Sequence, residues 1–241
     1  NDIIIGNDGN NVIQGGAGDD FIDGRGGMDT AVFSGTYGQS SIRIVDGVMT
    51  VTGPDGTDTI ENIENFSFTD SPNLIVGLED TAIGFDVAAH VPAAEGAASI
   101  VITGVPEGAS LSGGTLLENG SWLLNSADLE GLTITGAANS AEDFSISMTT
   151  YGADYMEAIT QAVTDYLADQ LDPLTNQPLQ SLEDFLAEGG SVVGLAGVIP
   201  ESYLPQPSAS GSADIAVIGI VDPFALTVGG VELTADGAAS T

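Results

Sequence analysis

Residues 1–33 repeat every nine positions, and no other property of the chain restricts its fold as tightly. Gly6, Gly15 and Gly24 share one phase, and Gly9, Gly18 and Gly27 share a second. Asp2, Asn11, Asp20 and Asp29 share a third, and Ile4, Ile13, Ile22 and Ala31 a fourth. A flexible Gly/Asp-rich linker has no reason to keep four lattices in one register. A nine-residue period of glycines, one carboxylate and one apolar residue describes a parallel β-helix or β-roll that binds calcium between its turns. The glycines permit the positive φ of tight turns, and each lone apolar residue points inward onto its counterpart in the next coil. One such residue per repeat is too little to hold the coils by burial, so the remaining free energy is expected from the ion. Calcium takes about six to eight oxygen ligands, and stacked glycine turns that expose carbonyls beside an Asp offer such a set. Binding and folding then form one equilibrium, with the calcium-free segment an acidic, disordered chain.

Gly15-Gly16-Ala17-Gly18-Asp19-Asp20-Phe21-Ile22-Asp23 resembles the RTX nonapeptide, the haemolysin-type calcium-binding repeat of proteins exported by type I secretion. The resemblance implies that successive nonapeptides form alternate sides of a roll, with calcium between repeats two apart. The Asp2 turn then pairs with the Gly15–Asp20 turn, and the Asn7–Asn11 turn with the Gly24–Asp29 turn. The implied calcium ligands are Asp2, Asn7, Gly9, Asn11, Gly15, Ala17, Asp20, Gly24, Gly26 and Asp29, through side-chain oxygens or turn carbonyls. Two positions depart from the pattern: Asn11 replaces the usual Asp and Arg25 the second Gly, which makes the second site the weaker one.

Asp29 to Gly35 ends the periodicity and starts longer strands. Ser41 to Thr52 reads as a hairpin around Asp46-Gly47, a strong short turn signal. A two-residue turn sets Ile44 opposite Met49 and Ile42 opposite Val51, four apolar residues on one face. The nearest apolar surface for that face is the end of the roll, and a cap is what a solenoid needs. Gly56 to Phe68 continues the cap and resembles the segment that closes RTX repeats in bacterial secreted proteins. Turn chemistry and calcium ligation both explain Asp55 and Asp58. The polar break Asp70-Ser71-Pro72-Asn73 marks a domain boundary.

From Leu74 onward, short strands separated by turns suggest a β-sandwich: Ser99–Thr103, a hairpin over Leu116–Leu124 about Asn119-Gly120 with Leu117 opposite Trp122, Leu132–Thr135, and the alternation Phe144, Ile146, Met148. Gly77-Leu78-Glu79-Asp80-Thr81-Ala82-Ile83, Ile102 to Ser112, Trp122 and Asp128-Leu129-Glu130-Gly131-Leu132 resemble the cadherin-like or immunoglobulin-like modules of large RTX adhesins. The likeness spans Leu74 to Thr150 and implies a spacer or adhesive module. Glu79 and Asp80 read either as a solvated acidic turn or, with Asp70, as an interdomain calcium site. Tyr155, Ile159, Val163 and Tyr166-Leu167 follow helical spacing behind an Asp154 cap, and a second short helix follows Ser181. Pro200–Ser212 reads as irregular. Ala213 to Val221 returns the chain to the sandwich as its final strand, and Ala225–Thr234 is a hairpin across Gly229-Gly230. The fold expected is mainly β: a calcium-binding parallel β-roll at 1–33, its β cap at 34–70, and an immunoglobulin-like β-sandwich at 74–241 carrying a small helical insertion, 151–212.

Two Arg and no Lys against 35 Asp and Glu give a formal charge of −33, so nucleic acid and anionic membrane are poor partners. Divalent cations or salt would relieve the self-repulsion, which suits a calcium-containing exterior. With no Cys, rigidity outside the cell must come from packing or metal. No apolar run reaches the ~18 residues of a membrane span. The chain opens mid-repeat and reads as part of something longer. One His, no Cys and no Lys remove the His-Glu-x-x-His zinc site, the thiol nucleophile and the phosphate loop. Few aromatics stand ready to grip a sugar, so no enzyme is expected, and His90 reads as structural or exposed. The function expected is a calcium-dependent structural or adhesive region of a large bacterial RTX surface protein, extracellular or on the cell surface. Alternatives are a self-assembling subunit of an extracellular fibre or S-layer-like array and the calcium-binding C-terminal region of a secreted exoenzyme. Partners would be calcium and, beyond it, copies of the chain or other surface and matrix components.

Overall fold

Glycine turns that reverse the chain every nine residues leave room only for short strands, and those strands stack. A computed structural model describes residues 1–45, 48–91, 97–171, 178, 180–219, 226–228, 231–233 and 239–240. β1 (Ile3–Asn7) and β2 (Val12–Ile13) form one coil, and β3 (Phe21–Arg25) and β4 (Thr30–Val32) the next. β1 runs parallel to β3 with Ile4 opposite Ile22, and β2 parallel to β4 with Ile13 opposite Ala31, so each coil uses two repeats. Ile13, Ile22 and Ala31 are buried and Ile4 packs against them.

β5 (Ser41–Val45) and β6 (Val48–Gly53) pair with Ile44 opposite Met49 and Ile42 opposite Val51. The register is the one a two-residue turn imposes, although Asp46 and Gly47 lie outside the described residues. β7 (Gly56–Glu61) joins β6 antiparallel on one side and β3 parallel on the other, and β8 (Asn65–Ser67) runs parallel to β4. Residues 56–67 therefore lay down a third coil without the nine-residue period. This changes the expected energetics. Phe33 stacks on Phe66 and Phe68, ring centroids 6.3 and 5.2 Å away, and joins Val51, Ile60 and Ile63 in a continuous apolar core. The shortage of burial belongs to the first coil, where Ile3 (76% exposed) and Val12 (77%) face solvent.

The next strand is a wall between two cores. β9 (Leu74–Leu78) pairs antiparallel with β8. Its Leu74 and Val76 enter the core of the coils, and Ile75 enters a second core. A strand buried on both faces reads as an unbroken apolar run, as Leu74-Ile75-Val76 does. The second core lies between two sheets. β10 (Ala82–Gly84) is followed by α1 (Val87–His90), β11 (Ser99–Thr103), β12 (Ser110–Leu111), β13 (Thr115–Leu116), β14 (Trp122–Leu124), β15 (Thr133–Thr135) and β16 (Phe144–Tyr151). The small sheet β10-β15-β12 supplies Ile83, Ile134 and Leu111, and faces Ile100, Ile102, Leu124, Ile146 and Met148.

After β16 come α2 (Tyr155–Asp169), α3 (Leu182–Ala187) and α4 (Val192–Ala196), whose caps Asp154, Ser181 and Ser191 accept the N–H of Glu157, Asp184 and Gly194. The third of these helices was not foreseen. All three close on a small core around Ile159, Val163 and Val193. β17 (Ala209–Ile218) then inserts between β16 and β9, antiparallel to the first and parallel to the second. It starts at Ala209 rather than Ala213 and lies inside the sheet. Its small residues are the reason: a Cβ on Gly211 would collide with the His90 carbonyl, so α1 packs close only over glycine. Ala216 and Ile218 face the core of the coils while Ile215 and Val217 face the second, which makes β17 the other half of the wall.

One long sheet thus runs β13-β14-β11-β16-β17-β9-β8-β4-β2 from the far hairpin to the first coil, and the chain is mainly β with mixed sheets. That hairpin departs by one residue from the expected register: Leu116, not Leu117, stands opposite Trp122. Leu117 and Ser121 flank a three-residue loop with Gly120 at φ +81, and Asn119 Oδ1 accepts the Ser121 N–H at 3.1 Å. β18 (Leu226–Val228), β19 (Val231–Leu233) and β20 (Ala239–Ser240) form a separate small sheet, with Val228 opposite Val231 across Gly229 and Gly230, which lie outside the described residues. Ile220 and Val221 lie outside them as well.

Candidate metal centre

Stacking two repeats per coil places equivalent turn residues in columns. On one side, the Asp2 N–H donates to Asp20 Oδ1 at 2.6 Å and the Asp20 N–H donates to Asp58 Oδ1 at 2.9 Å. On the other, the Asn11 N–H donates to Asp29 Oδ1 at 2.7 Å and the Asp29 N–H to Glu64 Oε2 at 2.8 Å. Flanking contacts repeat the rule: Asp19 N–H to Asn1 Oδ1 and Met28 N–H to Asn10 Oδ1. The structure therefore lays the Asp2 turn on the Gly15–Asp20 turn and the Asn11 turn on the Gly24–Asp29 turn.

These bonds use one oxygen of each central carboxylate. Asp20 (3% exposed) and Asp29 (0%) keep Oδ2 buried with no donor. A buried anionic oxygen without a partner is costly and calls for a cation. Each of these oxygens lies against a turn glycine. A Cβ on Gly15 would sit 2.5 Å from Asp20 Oδ2, and one on Gly24 would collide with both Asp29 Oδ2 and the Asn62 carbonyl oxygen. A Cβ on Gly6 would likewise meet Asn11 Oδ1 and the Gly24 carbonyl. Among the described residues no three His, Asp or Glu side chains converge on a metal position; the other oxygens at hand are turn carbonyls, those of Gly24 beside Asn11 and Asn62 beside Asp29. Hard oxygens from carbonyls plus one carboxylate suit calcium, and the residues present fit it.

The other expected ligands occupy different environments. Asn7 Oδ1 accepts the Gly9 N–H at 2.9 Å, and Asn11 Oδ1 accepts the Asn7 N–H at 2.7 Å, so both amides already carry a bond. Asp2 and Ala17 are exposed, and Gly26 lies against Asp8. Asp58 and Glu64 extend the two columns. Burial pushes both carboxyls up, opposed by the hydrogen bonds they accept and reinforced by Asp20 and Asp29 respectively. Glu64 was missed because the inserted hairpin breaks the eighteen-residue offset; its counterpart Asp29 lies 35 positions earlier.

Other carboxylates are satisfied by the protein. A cleft of about 260 Å³ between the two cores is lined by Asp70, Asp143 and Asp214. There Asp70 accepts the Tyr37 N–H, Asp143 the Val217 N–H, and Asp214 the hydroxyls of Ser71 and Ser145. Asp70 and the Glu79–Asp80 pair stand at opposite ends of β9, about 16 Å of strand apart, and do not share an ion. His90 is half-buried at the end of α1, and both ring nitrogens lack partners. Among the described residues no helix is long and apolar enough to cross a membrane. No curated protein and no solved structure matches the chain. Residues 1–31, Asp20 and Asp29 among them, match the RTX calcium-binding nonapeptide repeat in four copies, which makes this segment a calcium-binding region of RTX type.

Proposed function

We propose that the chain is a non-catalytic, calcium-dependent structural or adhesive region of a large bacterial RTX surface protein exported by type I secretion. Its three coils form a β-roll, and the two facing sheets that follow form an immunoglobulin-like sandwich carrying the three helices. The observation that carries the reading is the pair of buried, partnerless oxygens, Asp20 Oδ2 and Asp29 Oδ2. Asp20 and Asp29, with carbonyls of the Gly15–Gly18 and Gly24–Gly27 turns, would hold the ions. Bound calcium supplies positive charge where carboxylates are buried and cross-links successive turns. Asp20 and Asp29 orient the turns, while the glycines leave room for carbonyls to approach.

Calcium added to the protein in chelator should raise its β circular dichroism with a midpoint of ~10⁻⁴ to 10⁻³ M. Asp20→Ala should weaken that response more than Asn11→Ala, because Asn11 is neutral and already bonded. Spectra that ignore calcium would overturn the reading. Light scattering addresses the adhesive part: a calcium-loaded monomer is expected, and a polymer that grows with calcium would favour an extracellular array instead.

A further inference from the structure

The third coil lies outside the repeat, yet its turn between β7 and β8 is built from groups that converge on Asp29. Asp29 is fully buried, its Oδ1 takes the Asn11 N–H, and its Oδ2 has no donor. The Asn62 carbonyl oxygen approaches the same point, since a Cβ on Gly24 would collide with it and with Asp29 Oδ2 together. Asn62 holds φ +51, in the left-handed region, and its side-chain amide donates to Asp23 Oδ1 at 2.7 Å, which pins the turn to the second coil. Glu64, the residue before β8, reaches Asp29 as well: its Oε2 accepts the Asp29 N–H at 2.8 Å. The Asp29 carbonyl in turn accepts the N–H of Asn65 at 2.9 Å. Among the described residues no Arg side chain forms an ion pair, so nothing cationic in this part of the chain answers the two carboxylates.

We propose that the gap between the Gly24–Asp29 turn and the Asn62–Glu64 turn is a calcium site shared between the last repeat and the third coil, held by Asp29 Oδ2, the Asn62 carbonyl and the Glu64 carboxylate. It rests on the calcium reading of the repeats and carries it one coil further. The consequence is mechanical. β8 begins at Asn65, sends Phe66 into the core of the coils and pairs with β9, so an ion at its foot ties the repeats to the wall strand.

The test uses the full chain with calcium alone. Glu64→Gln should weaken one calcium by about tenfold or more in titration calorimetry, whereas Asp20→Asn should weaken a different one. In hydrogen exchange of the wild type, calcium should slow the amides of Asp29, Glu64 and Asn65 as well as those of Asp2 and Asp20. Unchanged stoichiometry and affinity in Glu64→Gln, or a calcium response at Asp2 and Asp20 with none at Glu64 and Asn65, overturns the site and leaves the repeat reading intact. A wild type that binds no calcium overturns both. If Glu64→Gln does not fold, the wild-type exchange pattern decides alone.

Discussion

What sets Asp20 and Asp29 apart from the acidic surface is burial combined with a missing donor, and the neighbouring glycine makes that combination possible. At Gly15 the backbone does not require glycine through its φ; the requirement is space, since a methyl group would sit 2.5 Å from Asp20 Oδ2 and push the carboxylate off its column. Gly15→Ala should therefore cost about 1–3 kcal/mol as an overpacked site and move the calcium midpoint of the circular dichroism response upward. Gly84→Ala, with open space around the new methyl, should stay within about 0.5 kcal/mol of wild type; equal effects would refute the steric argument. His90 offers the complementary case of a buried group with nothing to hold. Burial lowers its pKa below 6.5, a shift only partly opposed by Asp86. The unfolded chain then binds more protons below that value, so stability is complete above about pH 6.5 and declines as pH falls toward the folded pKa. His90→Leu, which replaces two unsatisfied nitrogens by apolar surface, should match wild type at about pH 7.5 and lose less melting temperature on going to about pH 5.5. Parallel losses in the two proteins would show that His90 is not the titrating group.

At the scale of elements, legibility followed periodicity and turn chemistry. The four phases of residues 1–33 gave the coils, Asp46-Gly47 the register Ile44 to Met49, and Asp154 with Glu157 the start of α2. Each is a local rule with a local readout. Failures occurred where a distant contact decided the outcome. Gly211 and its serine neighbours looked irregular because nothing nearby reveals that the His90 carbonyl rests on them. The third coil was hidden because the hairpin of β5 and β6 interrupts the repeat, so Asp58 and Glu64 sit 38 and 35 positions from Asp20 and Asp29 instead of 18. At Asn119-Gly120 the chain does turn, but a third loop residue moves the pairing opposite Trp122 from Leu117 to Leu116. The candidate site divides in the same way: Asp20 and Asp29 carry the family spacing, while Asn62 and Glu64 become visible only when β7 and β8 stack on β3 and β4.

For the whole molecule, the decisive feature is that β9 and β17 belong to both cores. Leu74, Val76, Ala216 and Ile218 pack with the coils, and Ile75, Ile215 and Val217 pack with the second core. Neither core can lose this wall and keep its own packing. A chain joined by a polar linker would melt in two steps; one joined by a shared pair of strands should melt in one. Trp122 packs against the second core, so its fluorescence reports that side, while bound Tb³⁺ luminescence reports the calcium turns. Phe66, fully buried in the core of the coils, is the place to cut. Phe66→Ala should remove about 3–5 kcal/mol and, in saturating calcium, lower the melting temperature read by Trp122 by about 10 °C. Ile75→Ala, which opens its cavity on the other face of β9, should lower the calcium-turn signal in return. If Phe66→Ala shifted the luminescence transition and left the tryptophan transition in place, the two cores would be independent, and calcium bound by the coils could not stabilise the sandwich through the wall.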